Sequence, residues 1–356
     1  MGKINLQMYS FMDGTMNDSR ENFRRAAEMG YDGVELFGPD FEIPAEELKA
    51  LLDELNLEPI SLHAPKTEMV EGLIPFANTL GMKFIGIGME VLRDEESVHR
   101  FAKTLNRIGK ACAEKGLILT YHNHTQEFAD CSRIGSVPGA AGAAEEPGIG
   151  VRSEKQAAGE PCGDVQSENW QAAGKACVGV SSEKQAAGEA CVSVQPENQH
   201  AAETALDGSR RTNRVIDVLM QETDPEYVSF ELDAGWCAAA GFDPIAFVEQ
   251  YSGRVKLIHI KESSRVVGPQ PPMDFSMLPR DENGAPIFPE DLKKTMEDLK
   301  RINCRAGEGL VDWKALKETA DKNGCRAYIV EREYSVSGNR LNDLKADLEH
   351  YRTQIS

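Results

Sequence analysis

Seven side chains of the types that bind metal ions or transfer protons recur at comparable positions along this sequence. Each follows a short apolar run and precedes a loop or a helix. They are Glu35 in GVELFG, His63 in SLHAP, His122 and His124 in TYHNH, Asp233 in FELDAGW, His259 in LIHIKE and Glu331 in YIVERE. Mixed imidazole and carboxylate donors suit Mn²⁺, Co²⁺, Fe²⁺ or Zn²⁺, and the lack of nearby cysteines argues against a structural zinc site. Such an ion polarises a carbonyl or hydroxyl group and stabilises an enediolate when a carboxylate removes the adjacent proton.

A lone histidine at a strand end is more often a hydrogen-bonded structural residue than a ligand. The whole set is harder to explain in that way if the strands share one barrel, because the carboxyl ends of barrel strands then meet at one rim. The sequence therefore predicts a central metal site, provided that the elements carrying these residues alternate as strands and helices.

The elements do alternate, on both sides of one unusual stretch. Apolar and β-branched runs predict strands, and amphipathic runs with capping residues and glycine stops predict helices. The predicted strands are 4–11, 33–38, 59–65, 83–89, 116–124, 227–236, 254–262 and 326–333. The predicted helices are 18–30, 43–56, a segment ending near 81, 94–115, 211–223, 243–252, 312–324 and 337–351.

Eight strand–helix units predict an α/β fold, a (β/α)8 TIM barrel, which needs about 250 residues. We expect 1–130 and 209–356 to form this one domain. The alternative is an open doubly wound sheet, which normally carries a glycine-rich phosphate loop after its first strand. The corresponding segment here, SFMDGTMND, has no such pattern.

The stretch 131–208 is a low-complexity insertion after strand 5, rich in Ala, Gly, Ser, Glu and Gln. Similar units of 14 or 15 residues begin at Val151, Val165, Val180 and Val194. An array of repeats with Cys162, Cys177 and Cys191 as a metal or redox ladder is one interpretation. Each unit has few large apolar residues, so stacking would bury too little surface to offset the ordering entropy. We therefore expect the insertion to be disordered.

Composition excludes several classes of function. The 356 residues carry a net charge of −19, and a nucleic-acid partner is disfavoured because binding needs clustered Lys and Arg. No apolar run approaches the roughly 18 residues of a membrane span. The N-terminal segment lacks an export signal and the eight cysteines form no CxxC pairs, so we expect a cytoplasmic protein with reduced thiols.

The segments YHNHTQEF, ELDAGW, LIHIKE and YIVERE resemble, in this order, the sugar phosphate isomerase/epimerase family of xylose isomerase-like TIM barrels. The resemblance covers roughly 3–130 and 211–350. In the epimerases of this family, four residues on strands five to eight hold one divalent ion: Glu, Asp, His and Glu. The resemblance implies Asp233, His259 and Glu331 as ligands. Strand five departs from the pattern, and we place His122 there, with His124 as the alternative.

The resemblance also implies roles in catalysis and substrate binding. The epimerases use both metal-bound glutamates as an acid/base pair; here Glu331 is one member, and the other is an imidazole, His124, or a non-ligand such as Glu127. Lys261 lies on the same strand face as His259 and is suited to stabilising an oxyanion. We expect substrate contacts from four residues: Glu35, His63, Trp236 and Arg265. Rim packing is an equally plausible role for Trp236, and Lys261 and Arg265 would be unremarkable as surface residues.

The leading hypothesis is a metal-dependent isomerase or epimerase of a sugar or keto-sugar. The alternative is a lyase or dehydratase that acts on a keto-inositol or a 3-keto-glycoside, because an imidazole on strand five weakens strict C3 epimerisation. A zinc-dependent DNA-repair endonuclease and a non-catalytic sugar-binding subunit are less favoured. The expected partner is a small-molecule substrate, and a homo-oligomer is possible. The Pro/Gly-rich segment 262–295 would cover the substrate or contact another subunit.

Overall fold

Eight parallel strands close into a barrel in which every strand pairs with its neighbours in chain order and β8 pairs with β1. The computed structural model describes residues 2–12, 16–136, 213–271, 274, 278–281 and 287–355. The strands are β1 Asn5–Gln7, β2 Gly33–Phe37, β3 Glu58–Ala64, β4 Phe84–Ile87, β5 Ile118–His122, β6 Val228–Asp233, β7 Val255–Ile260 and β8 Ala327–Val330. The predicted eight-stranded α/β barrel is confirmed.

Helices follow the strands around the outside of the barrel. They are α1 Ser19–Met29, α2 Ala45–Leu55, α3 Val70–Leu80, α4 Glu95–Ala113, α5 Val215–Glu222, α6 Ala234–Ala239, α7 Pro244–Gln250, α8 Glu290–Lys300, α9 Trp313–Lys322 and α10 Arg340–Gln354. Side-chain caps start several of them, because the first N–H groups of a helix lack partners within it. Asp18 accepts from Glu21 N at the start of α1, and Asp312 accepts from Ala315 N at the start of α9.

Two segments differ from the predicted elements. The predicted strand 227–236 ends at Asp233, whose side chain accepts from Trp236 N (2.7 Å) and caps α6. Because Asp233 is also the N-cap of α6, the strand ends at this residue. The residues after it are apolar, so the sequence pattern does not show the change from strand to helix. The predicted loop 262–295 contains the start of α8, which begins after Pro289 and has amphipathic spacing.

The predicted insertion, 131–208, begins too early: Cys131–Ser136 form a short 3-10 helix in which Cys131 and Ile134 are buried. The segments on either side of residues 137–212 lie against each other. Cys131 N donates to Asn213 O (2.7 Å), and Asp130 and Arg214 form an antiparallel bridge. The chain therefore leaves the barrel after β5 and returns to it at nearly the same place. Residues 137–212, and with them most of the predicted disordered insertion, lie outside the described residues.

The barrel interior changes from apolar to polar along its axis. One cluster of buried apolar side chains comes from four strands: Ile60, Phe84, Leu257, Ala327 and Ile329. Further along the same strands, towards their carboxyl ends, the interior side chains are acids, imidazoles and amides. The apolar layer packs the barrel, and the polar layer above it holds the candidate site. Among the described residues, no helix is long and apolar enough to cross a membrane.

Candidate metal centre at the carboxyl end of the barrel

Strand register brings the predicted ligands together. Asp233 pairs with His259 between β6 and β7, and His122 pairs with Glu231 between β5 and β6. Because successive side chains of a strand point to opposite faces, residues two apart point the same way. Glu231 and Asp233 therefore both face the barrel interior, as do His259 and Lys261 on the next strand.

Four predicted ligands form one compact group. A ligand atom from each of His122, Asp233, His259 and Glu331 lies within 4.8 Å of the others. His122 Nε2 lies 3.6 Å from Asp233 Oδ2, and His259 Nδ1 lies 3.2 Å from Glu331 Oε2. Three of the four side chains are at most 3% exposed, and that of Glu331 is 9% exposed. Such a group excludes bulk water from most of its surface.

Two buried atoms of this group indicate that a cation fits between them. His122 Nε2 and Asp233 Oδ2 have no hydrogen-bond partner among the described residues. His122 Nδ1 lies 3.2 Å from Gly88 O, so that nitrogen is the donor and Nε2 keeps its lone pair. Asp233 Oδ1 accepts from Trp236 N, which leaves Oδ2 for another partner. Buried polar atoms are rarely left without a partner, and a divalent ion would satisfy both atoms.

Lys261 places a buried cation beside the group. Its Nζ lies 2.6 Å from Glu333 Oε1, 2.9 Å from Glu331 Oε2 and 3.5 Å from Asp233 Oδ2. Burial by itself would lower the pKa of Lys261, but these carboxylates raise it above its ordinary value. For Glu331, burial by itself would raise the pKa. Lys261 and His259 outweigh this effect and hold the pKa of Glu331 well below its usual range. The side chains are therefore an ammonium and a carboxylate in contact.

His124 and Trp236 form the wall next to His122. The ring centroid of His124 lies 4.9 Å from that of His122 and 6.3 Å from that of Trp236, and Lys261 Nζ lies 4.6 Å from the Trp236 ring centroid. Burial, followed by the neighbouring His122 and Lys261, lowers the pKa of His124 to about 3, so this imidazole is neutral. His124 Nδ1 and Trp236 Nε1 are buried and have no hydrogen-bond partner among the described residues.

Glycine allows β7 to lie against the start of α6. A Cβ built on Gly235 would lie 2.3 Å from Lys261 O and 2.7 Å from Lys261 C, so any side chain here would push the two elements apart. This contact fixes Lys261 and Trp236 relative to each other. The glycine of the ELDAGW segment therefore positions the site, although it carries no chemical group.

A second buried group lies next to the first and shares His259 with it. Ligand atoms from Glu35, His63, Glu231 and His259 also lie within 4.8 Å of one another. His259 Nε2 lies 2.7 Å from Glu35 Oε1 and 3.2 Å from Glu231 Oε1; His63 Nε2 lies 2.5 Å from Glu231 Oε2 and 3.2 Å from Glu35 Oε1. We call these four residues the carboxylate–imidazole square.

Sequence reasoning missed three residues that the structure places in these groups: Gln7, Glu231 and Glu333. Gln7 Nε2 donates to Glu35 Oε1 (2.7 Å). Glu231 and Glu333 each lie two positions from a predicted ligand on the same strand or its extension, Asp233 and Glu331 respectively. The alternation of strand residues was the signal that would have found both.

Other predicted residues have different surroundings. Arg265 is exposed in the loop after β7, and no contact within the described part of the chain joins it to either group. Glu127 is buried, but it accepts from Tyr121 Oη (2.8 Å), Gln126 Nε2 (2.9 Å) and the backbone N–H of His124 (2.8 Å). These bonds hold the turn after β5, so Glu127 supports His124 from outside the barrel.

A family sequence model matches part of the chain. Residues 23–151 are similar to the family described as "Xylose isomerase-like TIM barrel". The closed eight-stranded barrel of the structure agrees with the fold in that description. The match covers less than half of the chain, and it ends before β6. Three of the four residues in the compact group therefore lie outside it.

The individual proteins to which the chain is similar are distant in sequence. An inosose dehydratase of Lacticaseibacillus casei is 28% identical over 121 residues, which is 34% of this chain and 35% of the relative. The match thus spans about a third of that relative's length.

Solved structures share the fold. A sugar phosphate isomerase/epimerase from Parabacteroides distasonis superposes with a TM-score of 0.59 at 17% identity, covering 100% of this chain and 95% of the other. The structure of the IOLI protein with a bound zinc atom superposes with a TM-score of 0.56 at 10% identity, covering 99% of this chain and 98% of the other.

Proposed function

We propose that the protein is a divalent-metal-dependent enzyme that isomerises or epimerises a sugar or keto-sugar by moving a proton at a carbon next to a carbonyl group. The observation that carries the proposal is a pair of buried atoms, His122 Nε2 and Asp233 Oδ2, which lie 3.6 Å apart and have no hydrogen-bond partner among the described residues. A cation between the two atoms would satisfy both. Without one, the cost of their burial is only partly offset, by Lys261 Nζ at 3.5 Å from Asp233 Oδ2.

The ligands we assign are His122, Asp233, His259 and Glu331. Two imidazoles and two carboxylates suit Mn²⁺, Co²⁺, Fe²⁺ or Zn²⁺. The IOLI protein, which has the same fold, was solved with a bound zinc atom, and this supports a metal site in the present barrel. When bound, the ion supplies a Lewis acid that polarises a substrate carbonyl or hydroxyl oxygen.

Glu331 and Lys261 are suited to moving the proton. Glu331 is held as a carboxylate, so it can accept a proton from the carbon next to the carbonyl and return it to the neighbouring carbon. Lys261 Nζ lies 2.9 Å from Glu331 Oε2 and can donate a hydrogen bond to the substrate oxygen that gains negative charge. These two residues directly follow the adjacent strands β7 and β8, and Glu331 N donates to Ile260 O (3.1 Å), so the barrel fixes their spacing.

His124 and Trp236 are suited to binding substrate hydroxyl groups. Each has a ring nitrogen at the same wall without a hydrogen-bond partner among the described residues, and the neutral His124 can accept or donate. Lys261 covers part of the face of the Trp236 ring, so we assign the substrate contact of Trp236 to its Nε1–H edge. His63 is 13% exposed and remains a candidate contact on the opposite wall, and Arg265 remains one only if its loop moves towards the site.

A β-elimination that removes water from a keto-polyol is the second candidate. It needs a base for the proton and an acid for the leaving hydroxyl, whereas epimerisation works with two similar groups on opposite faces. The site offers a carboxylate, an ammonium and a neutral imidazole, which is an unequal set. The similarity to an inosose dehydratase also supports this candidate.

Incubation with keto-sugars and a keto-inositol in deuterated water tests the proposal. Protein supplied with Mn²⁺ or Zn²⁺ should give a new isomer of unchanged formula that contains deuterium at one carbon. A product lighter by one water, with enone absorbance, would indicate the dehydratase instead. Asp233→Ala is the control, because it should abolish either reaction while the fold is kept. Wild-type protein that binds no stoichiometric ion would contradict both candidates.

A further inference from the structure

The carboxylate–imidazole square contains more charged groups than the proposed reaction uses. Glu35 and Glu231 are fully buried beneath the ion site, with side chains 0% exposed. Neither belongs to the compact group of four ligands, and Glu231 had no predicted role. Two buried carboxylates at this depth are costly unless they bind partners whose position matters.

Both carboxylates are directed at the same edge of His259. Its Nε2 lies 2.7 Å from Glu35 Oε1 and 3.2 Å from Glu231 Oε1, while its Nδ1 lies 3.2 Å from Glu331 Oε2 on the opposite side of the ring. An ionised carboxylate can only accept, so Nε2 is a donor; its hydrogen bond goes to Glu35 Oε1, and Glu231 Oε1 is a second carboxylate oxygen beside it. Nδ1 faces the ligand group and contacts the Glu331 carboxylate, and with a proton held at Nε2 it is the nitrogen that would bind an ion.

His63 contacts the same two carboxylates. Its Nε2 lies 2.5 Å from Glu231 Oε2 and 3.2 Å from Glu35 Oε1, and its Nδ1 lies 3.4 Å from Gln7 Nε2. The His63 and His259 rings are stacked, with centroids 5.4 Å apart and planes 19° from parallel. Glu35 also accepts from Gln7 and Ser61, whereas the described partners of Glu231 are the two imidazoles alone. Glu231 is therefore the member whose contacts serve only ring positioning.

We propose that Glu231, acting with Glu35, is a positioning residue that fixes the tautomer and orientation of His259 so that Nδ1 faces the metal ion. The inference rests on the proposed function, since it assumes that His259 is a ligand. A carboxylate that accepts from the second nitrogen of a ligating histidine raises the basicity of the ligand and fixes its ring, and loss of such a partner typically costs about 10- to 100-fold in metal affinity.

The test is Co²⁺ binding to wild type, Glu231→Gln and Glu231→Asp, measured by chelator competition and by the visible absorption of the bound ion. Glutamine keeps the shape but offers Nε2 a neutral partner, and aspartate keeps the charge with a shorter reach. We expect one ion per chain in all three, an affinity about 10- to 100-fold lower in both variants, and a changed Co²⁺ spectrum. Glu35→Gln should act in the same direction and provides a second variant if Glu231→Gln does not fold.

Glu262→Gln is the matched control. Glu262 is also a buried glutamate at the end of β7, but its Oε1 accepts from Gly307 N, Trp313 Nε1 and Tyr351 Oη, away from the ligand group. Its glutamine variant should lose stability and keep the Co²⁺ affinity and spectrum of wild type.

Three outcomes would overturn the inference in distinguishable ways. Unchanged Co²⁺ affinity and spectrum in the Glu231 variants would remove the positioning role and leave the proposed function intact. Two ions per wild-type chain, with one lost in Glu231→Gln, would make the square an ion site itself. A wild type that binds no ion would overturn the proposed function, and the inference with it.

Discussion

The two halves of the barrel are alike in architecture and different in chemistry. The half built from β5 to β8 supplies all four assigned ligands and Lys261. The half built from β1 to β4 supplies Glu35 and His63, which are two members of the carboxylate–imidazole square, and Gln7, which contacts both of them. Within the described part of the chain, the ligand atoms without a hydrogen-bond partner, His122 Nε2 and Asp233 Oδ2, lie in the second half, whereas Gln7, Glu35 and His63 of the first half are hydrogen-bonded.

The difference indicates a division between support and reaction. A saturated network holds its members in one arrangement, whereas buried atoms without partners are available to an ion or a substrate. Changes at the ligands and at Lys261 in the second half should therefore alter ion binding and turnover directly. Changes in the first half, and at Glu231 of β6, should act through the orientation of the ligands, with smaller effects.

The largest expected effect is a difference in ion binding between variants of His122, the last residue of β5, and His124, two residues later. His122→Ala should lose the stoichiometric ion and lower kcat by at least about 100-fold, because it removes a ligand and the polarisation that the ion supplies. His124→Ala should keep the ion and lower kcat through lost contact with substrate. Metal analysis of both purified variants, beside kcat on an accepted keto-sugar, makes the comparison. Retention of the ion in His122→Ala, with loss in His124→Ala, would reverse the ligand assignment.

The next effect concerns the cation of the second half. Lys261→Met should lower kcat by about 100-fold, since the oxygen that gains charge loses its donor. The ion should stay bound, because the substitution leaves Glu331 and Asp233 in place and removes a positive charge near them. Lys256→Met is the matched control: Lys256 lies near the amino end of the same strand, far from the site. An unchanged kcat in Lys261→Met would exclude an acid or oxyanion role for Lys261.

The fold could be predicted from the sequence because strand and helix cues recur on a short spacing. Each βα unit carries its own pattern, so errors in one unit do not spread to the next. The misplaced end of β6 arose where a strand residue, Asp233, also caps a helix. The apolar residues around Trp236 fit a buried strand and a buried helix equally well, and periodicity alone cannot separate the two.

The site was predictable where ligand types stand at strand ends, as for Asp233 and His259. Glu231 lies inside an apolar strand rather than at its end, so the strand-end pattern does not mark it, although alternation places it on the interior face. Contacts across the barrel, such as that between Gln7 and Glu35, join residues of different strands through a register that the sequence does not encode locally. The exposed position of Arg265 depends on a loop path that strand patterns do not determine.

A smaller effect tests whether the first half acts through orientation. Gly88 follows β4, and a Cβ built on it would lie 2.9 Å from His63 Nδ1 and 3.3 Å from His63 Cγ. Gly88 O also lies 3.2 Å from Nδ1 of the ligand His122. Gly88→Ala should therefore shift both rings slightly and weaken ion binding by about tenfold. Gly72→Ala is the control, because a Cβ on Gly72 meets no atom within 4 Å. Equal ion affinity in both variants would contradict a supporting role for this wall.

The last expected effect involves stability and not the ion, and it concerns a first-half carboxyl group. Asp40, in the loop after β2, is 1% exposed and accepts from Phe37 N (3.1 Å). Burial raises the pKa of Asp40 from 3.8 to about 7. Between these two pH values the folded protein therefore holds a proton that the unfolded chain releases. Its contribution to stability is complete below about pH 4 and falls by up to about 1.4 kcal/mol per pH unit until about pH 7. In contrast, Glu331 in the second half is kept ionised by Lys261.

Asp40→Asn should remove this pH dependence, because an amide does not ionise and can still accept from Phe37 N. Urea unfolding of wild type and variant at pH 5 and pH 7.5 measures it: the variant should gain stability relative to wild type at the higher pH. Asp53→Asn, which removes a carboxylate exposed on α2, is the control and should leave the slope unchanged. If wild type and Asp40→Asn lose stability in parallel between the two pH values, Asp40 is ionised in the folded protein, and the first half contains a buried charge that its hydrogen bonds alone stabilise.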